Sequence, residues 1–210
     1  MSTYADMQAR IANELARADL TDEIKLAIQD AIADYERQRF YFNEDRLVPS
    51  FTTVIGQEFY TITDDPDIDT MPHLDSVTLY AFLSRYTLEY INPQQMETIS
   101  ISTQWTAMPV NYTYYNKQIR LYPIPNMAYP VYLSGTVRFT RPSADADAGP
   151  WMNEAEQLIR YAAKKKIALD VTRDMGVAQV AAKNEADALA FLRGETAQRG
   201  GPAKIRATRF

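Results

Sequence analysis

The 210-residue sequence predicts an α+β fold: N- and C-terminal α-helices forming a helical body, with an inserted small antiparallel β-domain and an extended C-terminal tail. Three observations carry this. Apolar residues recur every three or four positions at both ends of the chain. Between Phe40 and Arg141, Thr, Val, Tyr and Phe rise while Pro or Gly punctuate every eight to twelve residues. After Gly200-Gly201-Pro202 no periodicity survives. The predicted organisation is a helical body from 1–42 and 150–194, a β-rich insertion at 43–149 and an extended C-terminal arm at 195–210.

The first forty residues read as two helices. Thr3 and Asp6 have the spacing of a cap, with the hydroxyl available to an orphan amide and an acid in the first turn. Met7, Ile11, Leu15 and Ala18 follow on one stripe. Thr21, with Asp22 and Glu23 behind it, restarts the pattern, and Ile24, Ile28, Ala31, Ile32 and Tyr35 share the next face.

The middle reads as strands and turns. Phe51–Ile55 and Glu58–Ile62 flank Gly56 as a hairpin. Val77, Leu79 and Ala81 alternate, as do Tyr86, Leu88 and Tyr90. Asn92–Pro93 supplies a cap and first residue for a short helix through Met96 and Ile99. Asn111–Tyr115 and Gln118–Tyr122 surround a tight Asn116–Lys117 turn, and a last strand spans Val131 to Thr140. Ser143–Pro150 has linker composition. Leu158, Ile159, Ala162, Ala163, Ile167 and Val171 then mark an amphipathic helix stopped by Gly176, and a second runs from Val177 to Arg193 with Gly194 as its stop. There is no repeat at a period of 20 to 50 residues and no sustained heptad.

Composition narrows function. With 46% hydrophobic and 23% charged residues the chain is a folded protein. The absence of cysteine excludes disulfide scaffolds, thiolate nucleophiles and Cys-ligated zinc. One histidine, His73, leaves no His–His metal pair, and no nucleophile context accompanies it. The seven glycines form no phosphate-cradling motif. The longest apolar run, Leu79 to Leu83, falls far short of the ~20 residues of a spanning helix, and the polar, amphipathic N-terminus is unlike a signal peptide. The expectation is a soluble, cytoplasmic, non-enzymatic protein with no cofactor, no metal and no membrane.

Charge is uneven. Residues 1–150 carry 11 basic and 20 acidic side chains, whereas 151–210 carry 11 basic and 7 acidic. Asp65, Asp67 and Asp69 occupy positions one, three and five of a calcium-loop pattern, but Thr70 stands at the glycine position and Ser76 at the bidentate glutamate, so a solvated turn is the better reading. Nine of the chain's fourteen tyrosines cluster between Tyr80 and Tyr132 in the β-region, where its acidic balance favours packing and interfaces over stacking on nucleic acid. Tyr112, Tyr114 and Tyr122 are candidate interface residues. So are Lys164 and Lys165 of a basic triplet whose members point to different sides of one helix, with a solvated helix face as the plainer reading. Arg199, Lys204, Ile205, Arg206, Arg209 and Phe210 make the tail a peptide suited to a partner.

The order of elements resembles the head-to-tail connector (adaptor, tail accessory or head-completion) proteins of tailed bacteriophages. The features are the helix-pair exit Tyr35-x-x-x-Arg39-Phe40-Tyr41-Phe42-Asn43, the segment Phe51-Thr-Thr-x-x-Gly56-x-x-x-Tyr60, the run Tyr112-x-Tyr-Tyr-Asn-x-x-Ile119-x-Leu121-x-Pro123-x-Pro125, and Glu156-x-Leu158-Ile159-Arg160. The resemblance implies a structural virion protein of the neck or tail, assembled in the host cytoplasm. It would be a homo-oligomeric ring, commonly of twelve copies, beneath the portal protein. Such a ring extends the DNA channel without sequence-specific binding and offers a platform to a downstream tail or nozzle protein. The helices would make the ring body, the β-region the outward or downward insertion, and 196–210 the arm that grips the portal. The alternative from the residues is a carbohydrate- or surface-binding β-module of a phage tail using the Tyr-rich strands.

Overall fold

The computed structural model describes residues 2–100 and 105–199. They form two compact units: one takes in the chain up to Asn43 and from Phe139 onward, the other is Glu44–Arg138. Residues 139–149, read from sequence as part of the insertion, therefore belong with the helices.

In the helical unit, α1 (Tyr4–Leu15) starts with a reciprocal cap. The Asp6 amide donates to the Thr3 hydroxyl at 3.2 Å and the Thr3 amide to the Asp6 carboxylate at 2.9 Å. Ala16, in the left-handed region at φ 52°, ends the helix before the predicted stripe reaches Ala18. Helix α2 (Thr21–Tyr35) follows. The linker-like 143–150 segment is not a free connector. Its Asp147 and Asp145 carbonyls accept from the Tyr4 and Ala5 amides of α1 at 2.8 and 3.0 Å, satisfying donors that a helix start otherwise leaves open.

Pro150 opens a short α5 (Pro150–Asn153), and α6 (Glu156–Asp170) runs behind it. Gly176 is not a stop. Helix α6 ends at Asp170, Arg173 takes φ 53°, and Asp174 caps the next helix by accepting from the Gly176 and Val177 amides at 2.9 and 3.0 Å. Helix α7 (Met175–Arg199) also continues through Gly194, so residues 195–199 are helical and not arm. An interior glycine costs a helix only about 1 kcal/mol, and here the chain braces both sides of it. Arg193 donates to the Gln38 side chain at 3.0 Å, and the Tyr41 amide donates to the Thr196 hydroxyl at 3.1 Å. The core combines Met7, Ile11, Ile28, Ile32, Leu158 and Ala163 with Trp151, which stands edge-on to Phe40 and Phe42 at 6.1 and 5.3 Å.

In the β unit, β1 (Glu44–Thr52), β10 (Pro130–Thr136), β3 (His73–Ala81) and β4 (Ser84–Thr87) form one sheet in that order. A second sheet has the order β2 (Phe59–Tyr60), β8 (Gln118–Tyr122), β7 (Asn111–Tyr115), β5 (Glu89–Tyr90). A two-stranded parallel pair joins β6 (Thr106–Ala107) to β9 (Ile124–Pro125). Short helices α3 (Asp67–Thr70) and α4 (Pro93–Ile99) complete it. The inner faces of both sheets share one core, including Val77, Leu79, Leu133, Tyr60, Ile119 and Leu121.

The predicted hairpin about Gly56 does not form. The segment after β1 turns away to donate Thr53 and Gly56 amides to the carbonyls of Tyr129 and Pro125, and β1 pairs with β10 instead. Gly56 at φ 79° still makes the bend. The Tyr86–Tyr90 alternation is real but is split between sheets. The Leu88 amide bonds Val77 of the first sheet and the next amide, Glu89, bonds Val110, carrying the chain to the second, where β5 runs parallel to β7. The α4 cap forms as predicted, Asn92 accepting from Gln95 at 2.8 Å. At Gly135 the two strands approach so closely that a Cβ would lie 2.2 Å from the His73 carbonyl oxygen, which fixes glycine at this bulge.

Candidate docking surfaces

The basic triplet is internal bracing. At about 100° per residue, three consecutive helical side chains point three ways, and each finds a different helix. Lys164 reaches Glu14 of α1 at 2.5 Å, Lys165 pairs with Glu185 of α7, and Lys166 meets Asp34 of α2 at 2.9 Å. Glu185 is buried and also accepts the Tyr35 hydroxyl at 2.6 Å. Burial, with that carboxylate second, raises the Tyr35 pKa. Lys164 and Lys165 are therefore both engaged within the unit.

The tyrosines offered as an interface are likewise engaged inside the β unit. Tyr112 and Tyr122 are buried and Tyr114 partly so. Their hydroxyls donate to backbone carbonyls: Tyr112 to Asp75 at 3.4 Å, Tyr114 to Ile68 and Met71 at 2.9 and 3.2 Å, and Tyr122 to Ile99 at 3.0 Å. A sugar-stacking platform made from these three rings is not present.

The aspartates also have local work. Asp65 accepts from the Ser50 hydroxyl at 2.6 Å and the Asp67 amide at 2.8 Å, and Asp69 pairs with Lys117 at 2.6 Å. Burial, with Asp65 and Asp45 adding repulsion, raises the Asp67 pKa. Among the described residues no group of three or more His, Asp or Glu side chains is arranged to hold a metal ion. His73 is the exposed first residue of β3.

Of the arm residues, Lys204, Ile205, Arg206, Arg209 and Phe210 lie outside the described residues. Arg199 occupies the last turn of α7, its guanidinium 3.8 Å above the centre of the Tyr41 ring. The Tyr41 hydroxyl donates to Glu154 at 2.5 Å. Burial first, then that bond, pushes its pKa up to about 12. Tyr41, Phe42, Gly149, Pro150, Glu154 and Arg199 thus border an open groove of about 590 Å³ where α7 ends.

One surface feature escaped sequence reasoning. The β3–β4 hairpin turns on Phe82 and Leu83, both with positive φ, at 47° and 62°, and 73% and 89% exposed. Two-residue turns of this kind favour Asn and Gly, as Asn116–Lys117 at 49° and 59° partly illustrates. The available signal was the apolar run Leu79–Leu83, which is one residue too many for alternation and carries no turn residue.

The molecule is thus a pair of well-packed units in which the candidate polar residues have internal partners, while large apolar and aromatic side chains stand exposed. The family model for SU10 adaptor protein matches residues 2–206, and the chain belongs to that family. This makes it a bacteriophage adaptor, a structural class that is typically non-enzymatic. No curated protein matches the chain. Among the described residues no helix is long and apolar enough to cross a membrane.

Proposed function

We propose that the chain is the neck adaptor of a tailed phage. It forms a ring beneath the portal protein, commonly of twelve copies in such proteins, extends the DNA channel used for genome ejection and gives tail components their attachment platform. The family match across nearly the whole chain carries this reading. The surfaces support it. The helical unit is tied together by charge pairs and suits a ring wall, while the β unit leaves large apolar side chains uncovered, as docking surfaces do. The balance of 11 basic to 20 acidic residues over 1–150 keeps passing DNA from adhering.

In this reading the basic segment beyond Arg199, with Lys204, Ile205, Arg206, Arg209 and Phe210, grips the portal from the rim of the Tyr41 groove. Assembly takes place in the host cytoplasm and the product resides in the virion neck. The test is class-averaged micrographs and sedimentation of the chain with purified portal. Rings stacked on the portal are expected for the full chain, and loss of stacking with an unchanged melting midpoint for a chain ending at Gly200. A chain that stays monomeric beside the portal, and whose deletion leaves capsids that retain DNA and accept tails, overturns the proposal.

A further inference from the structure

The Phe82–Leu83 tip poses a physical question. Both residues hold a left-handed backbone that bulky side chains disfavour, and both place their side chains in water. Among the described residues the buried face of the hairpin ends at Ala81, so the tip side chains add nothing to the core. The charged residue of the hairpin nearest the tip is Arg85, cross-strand from Tyr80 and exposed, its guanidinium 5.7 Å from the Tyr132 ring centre. The tip is therefore an apolar pair backed by one cation.

The helical unit carries the opposite shape. Between α2 and α6 a cleft of about 150 Å³ has Ala27 and Ile167 as its buried floor, with Leu26 (67% exposed) and Val171 at its lip. A volume of this order takes up one benzene-sized group. Glu23, Asp30 and Asp170 rim it, and the one cation there, Lys166, is engaged by Asp34. Apolar floor meets apolar tip, and an acidic rim meets Arg85.

We propose that the Phe82–Leu83 tip of one copy seats in the Leu26–Val171 cleft of the next. This deepens the ring reading above and rests on it. Tip and cleft are different patches, so the contact is head-to-tail: each copy gives one tip and receives another, and the pattern propagates until it closes. The paired Phe and Leu act as the hot spot and Arg85 sets the register against the carboxylates.

Two measurements on the full chain, alone at high concentration and with portal, decide it. Phe82→Asn with Leu83→Gly supplies the residues this turn favours, so its melting midpoint should hold or rise while self-association weakens by more than about 30-fold, the mark of a hot spot. Leu26→Lys, at an exposed position, should weaken association similarly. Mixing the two variants should yield dimers that grow no further, because one intact tip and one intact cleft remain. The chain has no cysteine, so Leu83→Cys with Leu26→Cys should give a disulfide-linked ladder that neither single variant gives. If the wild type assembles but the Asn-Gly variant assembles equally and no ladder forms, the tip contact is overturned and the ring reading stands. The tip would then face a different protein. If the wild type stays monomeric even with portal, the ring reading itself fails, and the contact with it.

Discussion

The two units hold themselves together differently. Among the described residues, fifteen large apolar side chains of the β unit are exposed, against six in the longer helical unit. The helical unit instead links α1, α2 and α7 to α6 through carboxylates and amines, and ties its connector to α2 by the two-pronged Arg141–Glu36 pair at 2.9 and 3.0 Å. Even the tyrosines differ. Tyr35 and Tyr41 of the helical unit donate to carboxylates, whereas Tyr112, Tyr114 and Tyr122 of the β unit donate to backbone carbonyls. The helical unit thus joins helix to helix through charged side chains, whereas the β unit, which has its own Arg120–Glu58 and Lys117–Asp69 pairs, exposes more of its large apolar side chains.

The largest effect that probes this contrast is removal of the helical unit's biggest buried side chain. Trp151→Ala should cost about 4 kcal/mol, read as an earlier urea midpoint by circular dichroism at helical wavelengths. The second tryptophan, Trp105, lies in the β unit and reports that unit's fluorescence transition. Its midpoint should hold. A common shift would mean that the units unfold as one and that the contrast is only of composition. The converse probe is Gly135→Ala, whose Cβ meets the His73 carbonyl. It should lower the Trp105 transition by about 2–3 kcal/mol and leave the helical signal in place.

The contrast also explains what was readable in advance. Helix faces, the Thr3–Asp6 and Asn92 caps and the Asn116–Lys117 turn are local physics, settled by residues within four positions of each other, and they appear where the pattern put them. Strand partners are not local. Nothing in Phe51–Tyr60 states that Thr53 and Gly56 amides will find Tyr129 and Pro125, so a plausible hairpin there was the wrong pairing. Glycine as punctuation failed at Gly176 and Gly194 for a related reason: Asp174, Gln38 and Tyr41 supply partners that outweigh the residue's own preference. The described candidates for docking share one feature: the structure gives each of them an internal partner. Tyr112, Tyr122, Lys164 and Lys165 attract attention as large or charged residues, and those same properties let them satisfy partners inside the fold.

A smaller effect of opposite sign sharpens the account of the β unit. Positive φ at a bulky residue costs about 1–3 kcal/mol, and Phe82 and Leu83 both hold it. Replacing the pair with Asn-Gly should raise the Trp105 urea midpoint by about 1–2 kcal/mol, because the turn is relieved and no buried contact is lost. The same substitution at Asn116–Lys117 changes only the second residue, and Lys117→Gly should gain less, offset by the loss of the Lys117–Asp69 pair. Equal gains at the two turns would remove the argument that the first is unusually strained.

The smallest effect concerns the tyrosines and alkali. Burial, then the bond to Glu154, raises the Tyr41 pKa to about 12. A folded-state pKa above the ordinary value of 10 means that the stabilising contribution is fully present below pH 10 and is lost as pH rises through about 12. The loss has a specific origin in the helical unit, where a tyrosinate at position 41 would face the Glu154 carboxylate that its hydroxyl now donates to. Tyr41→Phe removes both the bond and the titration. It should cost about 0.5–1 kcal/mol at neutral pH, and the difference from wild type should shrink between pH 10 and 12. In the β unit, Tyr112 and Tyr114 are also raised chiefly by burial, but their hydroxyls face backbone carbonyls. Phe at either position should therefore leave the helical unit's alkaline limb unchanged. Ultraviolet titration of tyrosinate alongside the urea midpoints at each pH separates the two, and an alkaline limb that persists unaltered in Tyr41→Phe would assign it to Tyr35, whose hydroxyl donates to buried Glu185.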